Sequence, residues 1–394
     1  MSILHATTGI DLDDTAVGYA YRSQQDLRLA YAVFRLLRYG SAVRLANRLA
    51  EQALRFRLPV KGLLRQTLGR LFLGGETLEE TLSLLRKLQT YQVKSMLDYA
   101  VEASLHPEER ERALSEYIKM IGFAAQYPDL VDCIAIKLTA LASPLLWERL
   151  SQNLSLTPSL KKEEEKFHYY FSSLLQLAQS KGVPLMIDAE ESWIQPAIDA
   201  VAEQYMQMFN TDKIIVYTTV QMYRRDRIQY LRDLLEKSYK VGIKLVRGAY
   251  VEKERSRAQS KGYPDPIQPT KAATDIAYDQ ALMMCLERLD QIGLCVATHN
   301  RNSCMKAAQY VLLKGLSPAH PNLSFSQLYG MADPISFGLA KAGFRVVKYV
   351  PYGPIDRAFP YLSRRAEENS SLSDQSGREL RWVAEELARR QKGQ

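Results

Sequence analysis

From about residue 93 onward, short apolar runs rich in Val, Ile and Tyr alternate with longer segments whose apolar positions recur at helical spacing. That alternation is the pattern of repeated βα units. Eight runs read as strands: VKSMLDY, CIAIKLT, VPLMIDAE, KIIVYTTVQMY, GIKLVRGAY, LCVATHN, LSFSQLYG and FRVVKYVPYG. The count predicts an α/β fold, a (β/α)8 TIM-type barrel, for which about 250 residues is typical. Several runs are continuously apolar, as strands covered on both faces should be. The polar residue in each comes late: Asp98, Lys137, Asp188, Gln221, Arg247, His299, Gln327 and Tyr349. Barrels of this kind do their chemistry at the carboxyl ends of their strands, and an open sheet would give no reason for such a register.

Residues from about 24 to 90 read as helix, punctuated by Gly40 and Pro59. Arg28, Arg35 and Arg38 fall on one face, and beyond Gly40 so do Arg44, Arg48 and Arg55, each opposite Leu, Val and Ala. Two basic amphipathic helices follow. The expected organisation is an N-terminal helical arm (1–90), the barrel (91–372) and a helical tail (373–394) packing through Leu380, Trp382, Val383 and Leu387. The charge run in LKKEEEKFHYY, residues 160–170, reads as a solvated helix face.

Composition narrows the class. At 394 residues, 46% hydrophobic and 24% charged, the chain is neither disordered nor fibrous. No apolar run approaches the roughly 18 residues of a membrane span. Cys133, Cys285, Cys295 and Cys304 show no CxxC pairing, so neither a disulfide framework nor a structural zinc is indicated. The start, MSILHATTGIDLDD, lacks a signal-peptide pattern, which makes a cytoplasmic protein the expectation. Net charge is +8 (52 minus 44), and residues 1–70 carry 11 Lys/Arg against 5 Asp/Glu, so +6 of it lies in the arm. Two readings of the basic helices stand: a solvated face packed on the barrel, or a peripheral contact with an anionic membrane at its inner face.

Candidate chemistry lies near the strand ends and in PYLSRRAEENSS. Adjacent Arg364 and Arg365 follow Pro360 as a helix starts, with Tyr361 three and four residues before them. Such a turn suits bidentate capture of a carboxylate, or it is a surface helix with an Arg–Glu ion pair. Lys137, Asp188 and Arg247 each sit at the end of a different strand and converge on one mouth, and a charge inside an otherwise apolar strand is costly unless paired or used. His299 reads as a hydrogen-bonding residue rather than a metal ligand, and no metal is expected. No GxGxxG follows the first strands, and neither GxxxxGK[ST] nor GxSxG occurs, which disfavours a Rossmann fold, a P-loop nucleotidase and a serine hydrolase elbow.

The segments IKLTAL, LMIDAEES, VQMY, KLVRGAYVEKER, ATHN, QLYGMAD, KYVPYGP and PYLSRRAEENSS, in that order, resemble the proline dehydrogenase family, over about residues 95–372. The resemblance implies a flavoenzyme on a (β/α)8 barrel that oxidises L-proline to Δ1-pyrroline-5-carboxylate by hydride transfer to FAD. It assigns Arg364, Arg365 and Lys137 to the proline carboxylate, and Tyr349, Tyr361 and Leu328 to the wall around the ring. Asp188 completes the pocket as a catalytic residue. Arg247 matches the arginine at the reactive edge of the flavin, where a cation stabilises the reduced ring. Ala189, Gln221, Tyr250, Val251, Glu252, Thr298, His299, Glu368 and Asn369 match flavin-contacting positions.

The same resemblance implies quinone as electron acceptor and a separate pyrroline-5-carboxylate dehydrogenase downstream. Glu102 is the candidate for a glutamate that pairs with one clamp arginine in bifunctional bacterial relatives. Tyr349 favours proline over hydroxyproline, since hydroxyproline-preferring relatives carry a smaller residue there. Two alternatives remain: a hydroxyproline dehydrogenase, and a non-catalytic basic binding protein on the same barrel. Nucleic acid is not an expected partner, because no aromatic residues interleave with the arm's arginines.

Overall fold

The computed structural model describes residues 9–56, 58–101, 107–371 and 373–393. Eight parallel strands, β1 (Val93–Tyr99), β2 (Val131–Ile136), β3 (Leu185–Ile187), β4 (Val216–Gln221), β5 (Val241–Val246), β6 (Ile292–Ala297), β7 (Leu323–Leu328) and β8 (Val346–Tyr352), close into a barrel in sequence order. Each overlaps one of the eight apolar runs, and the fold is the (β/α)8 barrel that those runs imply. The late polar residues fall in the last positions of their strands or just beyond them, apart from Tyr349 in the middle of β8. The chain divides into two compact units, Met1–Glu102 with Gln327–Gln394, and Ala103–Ser326.

In the unit Ala103–Ser326, β4, β5 and β6 pair in register, with Tyr217 opposite Gly242 and Gly242 opposite Gly293. The two glycines make room for one ring. A Cβ on Gly293 would stand 2.4 Å from the Tyr217 hydroxyl, and one on Gly242 would stand 2.7 Å from the ring. The long helix Pro158–Lys181 is capped by the Thr157 hydroxyl and stops at Gly182, whose φ of 67° is left-handed. Phe167 and Phe171 of that helix pack with Trp147 and Tyr205. All four cysteines are buried thiols.

In the other unit, β1 and β8 run side by side from Val93 opposite Val346 to Tyr99 opposite Tyr352. The helix Gln24–Leu37 opens on a capping box between Ser23 and Asp26 and packs on the helix Ser373–Gln391. Trp382 and Val383 of that last helix are buried and Leu380 and Leu387 half-buried. Two glutamates of the same helix, Glu379 and Glu386, are buried as well, which its charge pattern did not suggest. The helix Gly40–Arg55 packs on the helix Phe359–Ser371, which Asn47 reaches by hydrogen bonds, and buries Val43, Asn47 and Ala53. Leu45 and Leu49, one position round from Arg44 and Arg48, stay exposed. Among the described residues no helix is long and apolar enough to cross a membrane.

Candidate active site

In Ala103–Ser326, β2 ends at Ile136 and Lys137 continues in extended conformation before the short turn Leu138–Ala140. β3 ends at Ile187, and the Asp188 amide donates to the Ile136 carbonyl at 2.9 Å, so both residues leave their strands together. The Lys137 Nζ lies 3.8 Å from Asp188 Oδ2, and Lys244 of β5 also pairs with that carboxylate. Three strands thus bring two ammonium groups to one carboxylate. Beyond half-buried Ala189, Glu190 is buried and accepts from the Thr139 hydroxyl at 2.7 Å. Burial pushes its carboxyl up to about 7, so it is largely protonated under mildly acidic conditions.

The Glu190 carbonyl accepts from Gln221 Nε2 at 3.1 Å, which fixes the amide at the end of β4. The Gln221 Oε1 is buried and accepts no hydrogen bond from the described residues. Arg247, just past β5, is held by three partners. Its Nε pairs with Asp275 at 2.6 Å, and its two terminal nitrogens donate to Thr298 Oγ1 at 2.7 Å and Ser303 Oγ at 2.9 Å. Its guanidinium carbon also stands 4.1 Å from the centre of the Tyr278 ring. The guanidinium orientation is therefore set before any ligand arrives. Tyr250, Val251 and Glu252 begin the helix Val251–Lys261, with Glu252 exposed, and His299 follows Thr298 half-buried.

In the other unit, the helix Phe359–Ser371 carries Tyr361, buried, and Arg364 and Arg365, both half-buried. The four-residue spacing stacks the Arg365 guanidinium on the Tyr361 ring, 5.2 Å from its centre. Asn47 of the arm donates to the Ser363 carbonyl at 3.4 Å and to Glu367 Oε1 at 2.9 Å, tying this helix in place. Glu368 and Asn369 lie in the same helix with side chains outside the described set, and Glu102 lies outside the described residues. Tyr349 is buried on β8, and its carbonyl accepts from the Tyr329 amide at 2.9 Å. Leu328 ends β7, half-buried.

Sequence reasoning missed a second ionic cluster in this unit. Lys348 of β8 is fully buried, pairs with Asp333 at 2.8 Å, and donates to the carbonyls of Met331 at 2.6 Å and Leu328 at 3.4 Å. Asp333 also accepts from Arg22 Nε at 2.8 Å and Tyr21 at 2.9 Å. Burial favours a protonated Asp333, but the two cations outweigh it and hold the carboxyl below its usual range. Glu379 of the tail accepts from the Ala332 amide at 3.0 Å, and burial pushes its carboxyl up to about 7. Lys244 and Lys348 carried a readable signal, each being a lone charge in an apolar strand.

The closed eight-stranded barrel with charged residues at its strand ends defines a (β/α)8-barrel protein of the enzyme type. Comparison places it further. The proline dehydrogenase family model matches residues 81–378. Similar proteins include a carbapenem antibiotics biosynthesis protein, CarD, of Pectobacterium carotovorum subsp. carotovorum, 33% identical with 90% of this chain and 94% of that one covered. Proline dehydrogenase 1, mitochondrial, of Arabidopsis thaliana is 32% identical, with 97% and 87% covered. Among solved structures, proline utilization A from Bdellovibrio bacteriovorus shares the fold with a TM-score of 0.70 at 22% identity, covering 90% of this chain and 38% of that one. The chain belongs to the proline dehydrogenase family, whose members are oxidoreductases acting on proline.

Proposed function

We propose that this protein oxidises L-proline to Δ1-pyrroline-5-carboxylate, with FAD as the cofactor. The observation that carries the reading is the Phe359–Ser371 helix, where adjacent Arg364 and Arg365 sit beside buried Tyr361 with Arg365 stacked on its ring. Two permanent cations on an aromatic-backed turn suit a small carboxylate joined to an apolar ring. Lys137 adds a third cation, its ammonium oriented by Asp188. Tyr349 and Leu328, both fixed through the segment around Lys348, supply the apolar wall.

The residues at the ends of β4 to β6 fit a flavin. Its ring system needs both donors and acceptors from the protein, and Gln221 offers a buried acceptor that the described residues leave unused. Gln221, Arg247, Thr298 and His299 would hold the ring system, with Ala189, Tyr250, Val251, Glu252, Glu368 and Asn369 around the rest of the cofactor. When bound, the flavin supplies a two-electron acceptor. Proline gives up a hydride from the ring carbon next to nitrogen and the proton of its neutral amine, leaving the cyclic imine. The fixed guanidinium of Arg247 supplies positive charge where negative charge accumulates. Asp188, locked between Lys137 and Lys244, keeps the carboxylate-binding ammonium in place. Quinone is the proposed acceptor of the electrons, the cytoplasm the proposed location, and a separate dehydrogenase the consumer of the product.

Anaerobic titration with L-proline while following flavin absorbance tests this. The wild-type flavin bleaches. Arg364→Met or Arg365→Met keeps the flavin colour but needs roughly 10- to 100-fold more proline, as expected when a charged hydrogen bond of about 1.5–3 kcal/mol is lost. Normal proline affinity in both variants would refute the clamp. Protein that takes up no flavin when FAD is supplied would favour the non-catalytic binding protein instead.

A further inference from the structure

The guanidinium of Arg247 is held by more groups than an ion pair needs, and most of them come from one helix. Along Lys271–Leu286, the residues Lys271, Asp275, Tyr278 and Asp279 are spaced i, i+4, i+7 and i+8, which puts them on a single face. Asp275 accepts from Arg247 Nε at 2.6 Å, and the buried Tyr278 ring has its centre 4.1 Å from the guanidinium carbon. Asp279 acts at one remove. It accepts the Ser303 hydroxyl at 2.6 Å, and the Ser303 oxygen in turn accepts from Arg247 at 2.9 Å. Thr298, just past β6, accepts from the other terminal nitrogen at 2.7 Å. Among the described residues three of the five guanidinium N–H groups are thereby used, and one remains on each terminal nitrogen.

A tie between helix and barrel needs one such contact. Here the Tyr278 ring backs the guanidinium and three hydrogen bonds fix its rotation, on a residue just past the carboxyl end of β5, where barrels of this kind do their chemistry. The cluster also carries its own counter-charges. Lys271 pairs with Asp275 at 2.9 Å and Lys306 pairs with Asp279, so with Arg247 there are three cations to two carboxylates, a net +1. Neutralising Asp275 raises this to +2 and leaves the other contacts of Arg247 in place. We propose that Asp275 and the Ser303–Asp279 pair are positioning residues that aim Arg247, and that the Asp275 charge tunes how strongly a bound flavin holds electrons. The proposal rests on the reading of Arg247 as the cation beside the flavin, and not on the identity of the substrate, because a reduction potential is measured with no substrate present.

The test is the flavin midpoint potential of the FAD-loaded full chain, read by dye-coupled reduction. Asp275→Asn keeps an acceptor for Nε and removes the charge, so reduction should become about tenfold more favourable, a rise of about 30 mV for a two-electron couple. Ser303→Ala keeps every charge but frees one side of the guanidinium, so the same equilibrium should fall by roughly threefold, in keeping with the loss of one hydrogen bond. Glu287→Gln makes the same charge change at an exposed position about 18 Å further along the helix axis, and should leave the equilibrium within about twofold. Far-UV circular dichroism checks that each variant keeps its fold. If Asp275→Asn unfolds, Lys271→Gln at an exposed position serves instead: it leaves the Asp275 charge to Arg247 alone, and the potential should fall. A wild-type potential in loaded Asp275→Asn overturns the proposal. So does a shift no larger than that of Glu287→Gln, or a fall in both Asp275→Asn and Ser303→Ala, which loosened structure alone would produce. A chain that takes up no FAD overturns this proposal and the flavin reading together. A loaded chain that shows the two opposite shifts but is not bleached by proline supports the role of Asp275 and removes only the substrate.

Discussion

Replacing Asp333 by Asn removes the carboxylate that balances two buried cations. Arg22 and Lys348 have side chains 5% and 0% exposed, and each lies 2.8 Å from an Asp333 oxygen. Asn is nearly isosteric, so packing is preserved and the loss is electrostatic. Breaking a buried pair by removing one partner costs about 3–5 kcal/mol, because the other charge stays buried without its counter-ion. Here one carboxylate serves two cations, which points to the upper end. Glu379, held back from ionising partly by Asp333, gives up its proton more readily once Asp333 is neutral, which trims the penalty. About 4 kcal/mol follows, a large part of a typical 5–15 kcal/mol stability. For a unit of this size that is on the order of 10 °C in the unfolding midpoint, read by near-UV circular dichroism or differential scanning fluorimetry. Arg22→Met/Asp333→Leu/Lys348→Met, which removes every charge of the set, should recover most of the loss. A midpoint for Asp333→Asn within about 2 °C of wild type would refute the reasoning.

Glu379→Gln should flatten the pH dependence of stability. The folded carboxyl titrates at about 7, above its unfolded value, so its contribution is complete below the unfolded pKa and is lost as pH rises through 7. The loss is on the order of 3 kcal/mol by pH 8, and Glu190 acts in the same sense, so denaturant midpoints at pH 5.5 and 8 should converge in the variant but not fully. Gly330→Ala should cost roughly 3 kcal/mol or more in a urea melt, because Gly330 has a φ of 86° and a Cβ there would stand 2.2 Å from the Leu71 carbonyl oxygen. An unchanged midpoint would mean that the short helix Arg70–Phe72 yields freely. Tyr349→Ser should raise turnover of 4-hydroxyproline relative to proline, measured as a ratio of kcat/KM values, and an unaltered ratio would remove Tyr349 from the specificity wall.

The strands were legible because barrel burial on both faces writes continuous apolar runs into the sequence, and the late polar residue in each marks the carboxyl end. Stacking of Arg365 on Tyr361 follows from a four-residue spacing within one helix, which needs no knowledge of the rest of the chain. Arg247 could be singled out, but not what holds it: Asp275 and Ser303 lie 28 and 56 residues away on separate helices. Lys244 and Lys348 sit within their strands rather than at the ends, so attention to the last polar residue passed over them. Glu379 and Glu386 were invisible for the opposite reason. A helix with many charges reads as solvated, and although the spacing of Glu386 to Arg389 and Arg390 offers ion pairs within one helix, only the fold shows that the glutamate they hold is buried.

Helical periodicity in the arm marked an apolar side without saying how much of it the protein would cover. The structure covers the stripe of Val43, Asn47 and Ala53, and within the same unit the arm reaches two places that carry proposed site residues. Tyr21 and Arg22 meet Asp333, whose partner Lys348 holds the Leu328 carbonyl and precedes Tyr349. Asn47 meets the helix that bears Arg364 and Arg365. Deleting residues 1–70 would therefore take away Arg22 and Asn47, and a loss of activity or solubility in that truncation would report damage to the proposed site's supports rather than a separate role of the arm. Surface substitutions at Leu45, Leu49 and Phe56 leave both supports intact. They separate the exposed face of the arm from the contacts it makes within its unit, which removal of the arm would merge.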